Sequence, residues 1–128
     1  MKLLLDTHTL LWAVDDPGHL GSRAVVELQA PTNELVLSAG SIWELAIKVG
    51  AKKLALSLPY RQWVSQAIAD LGLTILPISV EHADVQSELP FHHRDPFDRM
   101  LVAQSLYEQM PLVSVDPQLD AYGIIRIW

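Results

Sequence analysis

The segment from His92 to Ser105 constrains the fold of this chain more than any other. Asp95 suits a helix N-cap and Pro96 suits the first helical position, so a helix is predicted to begin here. Residues 100–103 are apolar, which places much of this helix in the interior. Its first turn nevertheless carries Asp98. Because a buried charge without a partner is costly, this carboxylate is expected to face a positively charged neighbour.

Short apolar segments alternate with helical patterns along the whole chain. The predicted strands are residues 2–5, 35–37, 73–78, 112–115 and 124–128, and the predicted helices are 7–14, 22–30, 42–49, 59–71, 80–89 and 96–109. This alternation is typical of an α/β domain in three layers, with a mainly parallel central sheet of four to five strands and helices on both faces. A single domain over residues 1–128 is expected from the chain length and from an apolar content of 50%.

Composition limits the classes of site that the chain can hold. There is no cysteine, so any metal must bind to oxygen or imidazole. A net charge of -6 argues against a protein that coats nucleic acid through a broad positive surface. The N-terminal apolar run is too short for a signal peptide, and no run of about 18 apolar residues follows. A cytoplasmic protein that does not enter membranes is therefore expected.

Four acidic residues stand where a parallel sheet collects ligands, beyond the carboxyl ends of its strands. Asp6 and Asp116 directly follow predicted strands, and Glu44 and Asp98 lie in the first turns of predicted helices. Each has a capping explanation when taken alone; for example, Ser41 and Glu44 have the spacing of a capping box. Capping does not predict that all four acids meet at one sheet edge. Four neighbouring carboxylates repel one another unless a cation lies among them.

An oxygen-rich site of this kind suits Mg²⁺ or Mn²⁺, and zinc is not expected. Because magnesium keeps coordination positions open for water and phosphate, phosphodiester hydrolysis by a metal-activated water is the natural reaction class. Asp6 and Asp98 are the more direct candidate ligands. Glu44 or Asp116 would then hold or deprotonate the attacking water.

Four motifs in order resemble those of the PIN-domain ribonucleases, and most closely the VapC toxins of bacterial toxin–antitoxin pairs. The motifs are Leu-Leu-Asp6-Thr7, Ser41-Ile-Trp-Glu44-Leu-Ala-Ile-Lys48, Asp95-Pro-Phe-Asp98-Arg99-Met-Leu-Val-Ala-Gln and Ser114-Val-Asp116. The resemblance covers nearly the whole chain and assigns the family's four acids, as both catalytic and metal-binding residues, to Asp6, Glu44, Asp98 and Asp116. Asp95 competes with Asp98 for the third place, and Ser114 matches a small hydroxyl residue two positions before the fourth acid.

The resemblance further implies a Mg²⁺-dependent endoribonuclease toxin that forms a homodimer. A cognate antitoxin is expected to bind its active-site groove and keep it silent. Thr7 and Arg99 are possible auxiliary residues. The candidate basic residues for contact with RNA are Arg94, Arg99, Lys48 and Lys52, although Arg99 is also spaced to pair with Asp95, four residues earlier.

Three other interpretations remain open. His92 and His93 raise the possibility of a metal-free ribonuclease with one imidazole as base and the other as acid, although adjacent residues on an extended segment point apart. A phosphoacceptor receiver domain has similar layering but needs paired acids after its first strand, where this chain has Asp6 alone. The main alternative is a non-catalytic protein-binding module that retains the PIN fold. The tryptophans Trp12 and Trp43 are expected in the core rather than at an interface.

Overall fold

A computed structural model describes residues 1–128 as alternating strands and helices. The strands are β1 (Lys2–Leu5), β2 (Glu34–Ser38), β3 (Thr74–Leu76), β4 (Leu112–Val113) and β5 (Arg126–Ile127). The helices are α1 (Thr7–Asp15), α2 (Ser22–Gln29), α3 (Ala39–Gly50), α4 (Tyr60–Leu71), α5 (Val80–Glu88) and α6 (Pro96–Glu108). Two 3-10 turns span Pro17–His19 and Pro117–Tyr122. None of the helices combines the length and the apolar character needed to cross a bilayer.

All five strands are parallel and follow the order β3-β2-β1-β4-β5. The chain builds β2 and β3 outward on one side of β1, then returns to add β4 and β5 on the other side. The strand order therefore reverses between β1 and β4. In open parallel sheets, the crevice at such a reversal is the usual place for a ligand.

Two apolar clusters cover the two faces of the sheet, because successive side chains of a strand point to opposite faces. The larger cluster joins Leu3 and Leu5 of β1 to residues of α1, α2, α3 and α4, including the buried Trp63. The smaller one joins Leu4 to Leu101 and other residues of α6. Helices on both faces of one parallel sheet confirm the predicted three-layer α/β fold.

The boundaries differ from prediction where tertiary contacts decide them. The last three strands are shorter than predicted, and α2 has Gly21 rather than Ser22 as its N-cap. Helix α3 begins three residues earlier than expected, because Ser38 caps it by accepting a hydrogen bond from the Gly40 amide at 3.0 Å. Helix α4 ends as predicted at Gly72, whose positive φ of 62° suits glycine.

Candidate metal-binding active site

An open cavity of about 510 Å³ lies at the strand-order reversal, beyond the carboxyl ends of β1 and β4. Three of the residues that line it are carboxylates that the sequence selected: Asp6, Asp98 and Asp116. The other lining residues are His8, Trp12, Val115 and Pro117. The fold thus brings together three acids that are far apart in the sequence.

Asp6 both caps a helix and faces the cavity. Its Oδ1 accepts a hydrogen bond from the Thr9 amide at 2.7 Å, as an N-cap should. The Asp6 amide and the Thr9 hydroxyl both donate to the carbonyl of Val113, at 3.1 and 2.8 Å, and this ties the start of α1 to β4. Because capping uses one carboxylate oxygen, the other is left for a ligand in the cavity.

The start of α6 gives different surroundings to Asp95 and Asp98, the two acids that flank Pro96 and Phe97. Asp95 is the N-cap, and its Oδ1 accepts hydrogen bonds from the amides of Phe97 and Asp98 at 2.8 and 3.0 Å. Asp98 instead lines the cavity. Asp95 is therefore engaged at the helix terminus, whereas the carboxylate of Asp98 is directed to the site.

The electrostatic environment of Asp98 is strongly negative. Burial is the largest cause that raises its pKa, and the charge of Asp95 is the next; together with weaker contributions from Asp6 and Glu44 they bring the pKa to about 7. His93 partly offsets this rise in the pKa. The site therefore favours a positive charge, either a proton or a cation.

Asp116 is held by the chain immediately around it. Its amide donates to the hydroxyl of the fully buried Ser114 at 3.2 Å, and its Oδ1 accepts a hydrogen bond from the Gln118 amide at 2.9 Å. Ser114 in turn is fixed to β5, because its amide donates to the carbonyl of Ile127 at 3.1 Å. The predicted hydroxyl residue therefore positions the fourth acid.

Glu44 does not form the capping box that its spacing with Ser41 suggests, because α3 begins earlier and places it in the second turn. Its side chain is buried, and it accepts hydrogen bonds from the Thr7 hydroxyl at 2.6 Å and from the Lys48 ammonium at 2.7 Å. The bond to Glu44 raises the pKa of Lys48. Glu44 thus lies near the cavity but not on its wall, and Lys48 is engaged with it.

Beyond this geometry, the model of the PIN domain family matches residues 3–125 of the chain. The chain belongs to the PIN domain family. Ribonuclease VapC22 of Mycobacterium tuberculosis (strain ATCC 25618 / H37Rv) is 28% identical over 120 residues, which cover 94% of this chain and 91% of that protein. The predicted family is confirmed by these two matches.

Solved structures of other proteins share this PIN fold. The crystal structure of VapBC2 from Rickettsia felis bound to a DNA fragment from their promoter gives a TM-score of 0.73 at 19% identity, covering 98% of this chain and 97% of that one. Mycobacterium tuberculosis VapC20, described as a sarcin-ricin loop cleaving toxin, gives 0.64 at 14% identity, with 96% of each chain covered. At these identities the likeness establishes the fold alone.

This PIN domain places His93 beside two of the predicted carboxylates, whereas sequence reasoning considered it only as half of a metal-free histidine pair. The Nε2 atom of His93 lies 3.1 Å from an oxygen of Asp116 and 3.4 Å from an oxygen of Asp98. Potential ligand atoms of these three residues all lie within 4.8 Å of one another. No spacing rule reveals this, because the position of His93 depends on the path of the loop between α5 and α6. The ring of His92 packs instead on Tyr122, with 5.0 Å between centroids, so the two imidazoles do not share a site.

Arg99 was expected to contact RNA or to pair with Asp95, and its hydrogen bonds in the structure go elsewhere. Arg99 is buried, and its guanidinium donates to the carbonyls of Gln86, Leu89 and Pro90 at 2.9–3.3 Å. The planar guanidinium, with five N–H groups, can serve several carbonyls at once. Arg99 therefore holds the loop between α5 and α6 rather than facing a substrate.

The predicted burial of both tryptophans is wrong for Trp43, which is 61% exposed and meets Phe97 edge to face at 5.4 Å between centroids. Trp12 is half-buried and lines the cavity, where its ring stacks on His19 at 5.4 Å with an interplanar angle of 18°. The cavity therefore has an aromatic wall beside its carboxylates.

Proposed function

We propose that this PIN domain is a Mg²⁺-dependent endoribonuclease in which Asp6, Asp98 and Asp116 bind the metal and Mn²⁺ can substitute for Mg²⁺. The observation that carries the proposal is the convergence of these three carboxylates on one cavity at the strand-order reversal. Asp6 and Asp116 each use one carboxylate oxygen as a cap, but capping does not explain why they meet Asp98 in one cavity. Here three acids share a wall that no lysine or arginine lines.

The residues of the cavity fit a hard divalent cation. The available donors are carboxylate oxygens, which Mg²⁺ and Mn²⁺ prefer, and there is no thiolate. Burial, and after it the charge of Asp95, raises the pKa of Asp98, so a cation in the cavity would favour its ionised form. When bound, a divalent ion would acidify a water molecule and offset the negative charge of a phosphate.

The residues of the chain would divide the remaining tasks. Asp116 is the better candidate to orient the attacking water, because it borders the cavity, whereas both oxygens of Glu44 already accept hydrogen bonds. Glu44 then acts as a positioning residue through its contacts with Thr7 and Lys48. It also adds to the negative charge of the site. The first turns of α1 and α6 add partial positive charge near a bound phosphate.

Single-stranded or looped RNA is the substrate class that suits the cavity best. Unpaired bases stack on aromatic side chains, and Trp12 with His8 and His19 provides such a surface beside the carboxylates. The chain carries a net charge of -6, so contact with the RNA backbone must be local. Arg94 and Lys52 remain exposed and available for it.

We also propose that the protein is a toxin that a cognate antitoxin silences, and that it forms a homodimer. The likeness to VapC22 and to the VapBC2 structure supports this. An apolar groove of about 200 Å³ next to the site, lined by Trp43, Phe97, Ile78 and Met100 among others, offers a surface for a polypeptide. The same groove favours the alternative, a module that keeps the PIN fold and binds a protein without catalysis.

Cleavage of a structured RNA by the purified chain, with Mg²⁺ or with excess EDTA, tests the proposal. Wild type should cut only with the metal, and Asp6→Asn should reduce the rate by more than about 100-fold, the upper end of losses caused by removing an outer metal-site partner. Asp70→Asn, at an exposed position on α4, is the matched control. A binding module would cut under none of these conditions. Cleavage that survives EDTA would point to the histidines instead.

A further inference from the structure

We propose that His93 is a positioning residue of the metal site: its Nε2–H group donates to Asp98 and Asp116 and aligns them, and its imidazole is not itself a metal ligand. This inference rests on the proposed function, because it concerns the same carboxylates. His93 itself lies in the loop before α6 and is not one of the four predicted acids.

The hydrogen bonds of the ring assign its tautomer. The backbone amide of Asp95 donates to His93 Nδ1 at 3.1 Å, so Nδ1 must carry a lone pair. A neutral imidazole with an acceptor at Nδ1 has its proton at Nε2. The Nε2–H therefore points to the oxygens of Asp116 and Asp98, at 3.1 and 3.4 Å, as a donor.

This tautomer leaves Nε2 without a lone pair for a metal. Direct ligation through Nε2 would require moving the proton to Nδ1, which would break the bond from the Asp95 amide. That amide belongs to the residue that caps α6, so the hydrogen bond links the ring to the start of the helix that carries Asp98. The arrangement therefore favours hydrogen bonding by His93 over metal ligation.

The backbone of His93 is also held in place. The His93 amide donates to the hydroxyl of Tyr122 at 2.9 Å, and the Arg99 guanidinium donates to the same hydroxyl at 3.3 Å. Arg99 also packs over the ring of Phe91, with 4.0 Å from its central carbon to the centroid, and binds carbonyls of the same loop. These contacts explain why a buried arginine lies beside a metal site that it does not touch.

A fixed donor between two carboxylates has a definite effect on metal binding. Asp98 lies on α6 and Asp116 caps the separate 3-10 turn Pro117–Tyr122, so no single element holds the two carboxylates together. One N–H shared between them reduces their repulsion and orients them before the ion arrives. Loss of such outer partners typically lowers metal affinity by about 10–100-fold.

Titration of the metal-free protein with Mn²⁺, followed by calorimetry, tests this role. His93→Phe keeps the ring shape but removes both nitrogens, and it should bind Mn²⁺ about 10–100-fold more weakly than wild type. His93→Gln keeps an N–H donor at a similar reach and should recover most of the affinity. Asp70→Asn, at an exposed position on α4, is the control and should bind Mn²⁺ as wild type does.

Pulsed electron paramagnetic resonance of bound Mn²⁺ provides an independent readout. It is recorded on His8→Phe, because the ring of His8 also lines the cavity. The proposal predicts no coupling to a directly bonded ¹⁴N nucleus in this variant. Such a coupling would make His93 a ligand and would overturn the proposal, as would a His93→Phe variant that folds and binds Mn²⁺ as tightly as wild type or more tightly. If His93→Phe does not fold, the spectrum together with the affinity of His93→Gln decides.

The two proposals fail in different ways. If wild type binds no Mn²⁺, or if Asp98→Asn binds it equally well, the proposed metal site is wrong and the role of His93 falls with it. If wild type binds Mn²⁺ through Asp98 and His93→Phe leaves the affinity unchanged, only the inference about His93 is wrong.

Discussion

Asp98 is the residue whose surroundings describe the site most fully. It lies in the first turn of α6, where backbone N–H groups favour a negative charge, yet its pKa is raised to about 7. Burial and the neighbouring charge of Asp95 thus outweigh the helix terminus and the opposing effect of His93 on this pKa. Without a cation, the ionised form of Asp98 is a cost to the folded protein.

This cost predicts a pH-dependent effect of Asp98→Asn on the stability of the metal-free protein. The folded state holds the proton of Asp98 more tightly than the unfolded state, so the free energy of unfolding falls as pH rises from about 4 through 7. At pH 8 and in EDTA, Asp98→Asn should be more stable than wild type by about 1–2 kcal/mol, after allowance for solvent screening. The difference should shrink at pH 5.

Urea unfolding at the two pH values measures this difference, with Asp70→Asn as a control that should show none. A variant that is equally stable or less stable than wild type at pH 8 would mean that the folded protein already compensates the charge of Asp98.

At the residue scale, the sequence identified the acids that follow strands or lie near the start of a helix, because those positions can be read from local pattern. It could not identify the contact between Glu44 and Thr7 or the partners of Arg99. Glu44 contacts Thr7, 37 positions away, and Arg99 binds the carbonyls of a loop. Such contacts form only when distant elements pack, and no local spacing encodes them.

Among the elements, α6 does most to organise the site, and its start was predicted correctly from Asp95 and Pro96. The beginning of α3 was not, because Ser38 at the end of β2 competes with Ser41 as a cap and the packed structure uses Ser38. Local signals thus predict a helix start well where one candidate cap is present and poorly where two compete.

Substitution should distinguish the roles of Asp95 and Asp98, the two acids at the start of α6. Asp95→Asn keeps a capping oxygen and should leave RNA cleavage largely intact, whereas Asp98→Asn should abolish it. Asp95→Ala removes the acceptor for two amides and should lower the free energy of unfolding by about 1 kcal/mol. Cleavage assays and urea unfolding of the three variants give the comparison. Loss of cleavage in Asp95→Asn with activity retained in Asp98→Asn would reverse the assignment of the third acid.

Across the whole molecule, the cavity with its carboxylates and the apolar groove at Trp43 lie on two sides of the start of α6. Phe97 lines the groove and Asp98 lines the cavity, so a polypeptide seated in the groove lies next to the site. This adjacency gives a physical route by which an antitoxin can block access of RNA to the carboxylates.

An exposed tryptophan at the centre of such a groove should dominate the binding of a partner. Trp43→Ala should weaken binding of the proposed cognate antitoxin by about 2 kcal/mol or more, roughly 30-fold. Val26→Ala, at an exposed apolar position on α2, is the control and should have no effect. Calorimetry with the purified antitoxin measures both, and equal affinity for wild type and Trp43→Ala would exclude the groove as the docking surface.

Anomalous X-ray diffraction from crystals grown with Mn²⁺ tests the central claim most directly. The account predicts an anomalous peak in the cavity at ordinary ligand distance, about 2.1 Å, from oxygens of Asp6, Asp98 and Asp116. The same crystals of Asp98→Asn should show a weak peak or none. A cavity without a peak, in a protein that still cleaves RNA, would contradict the account.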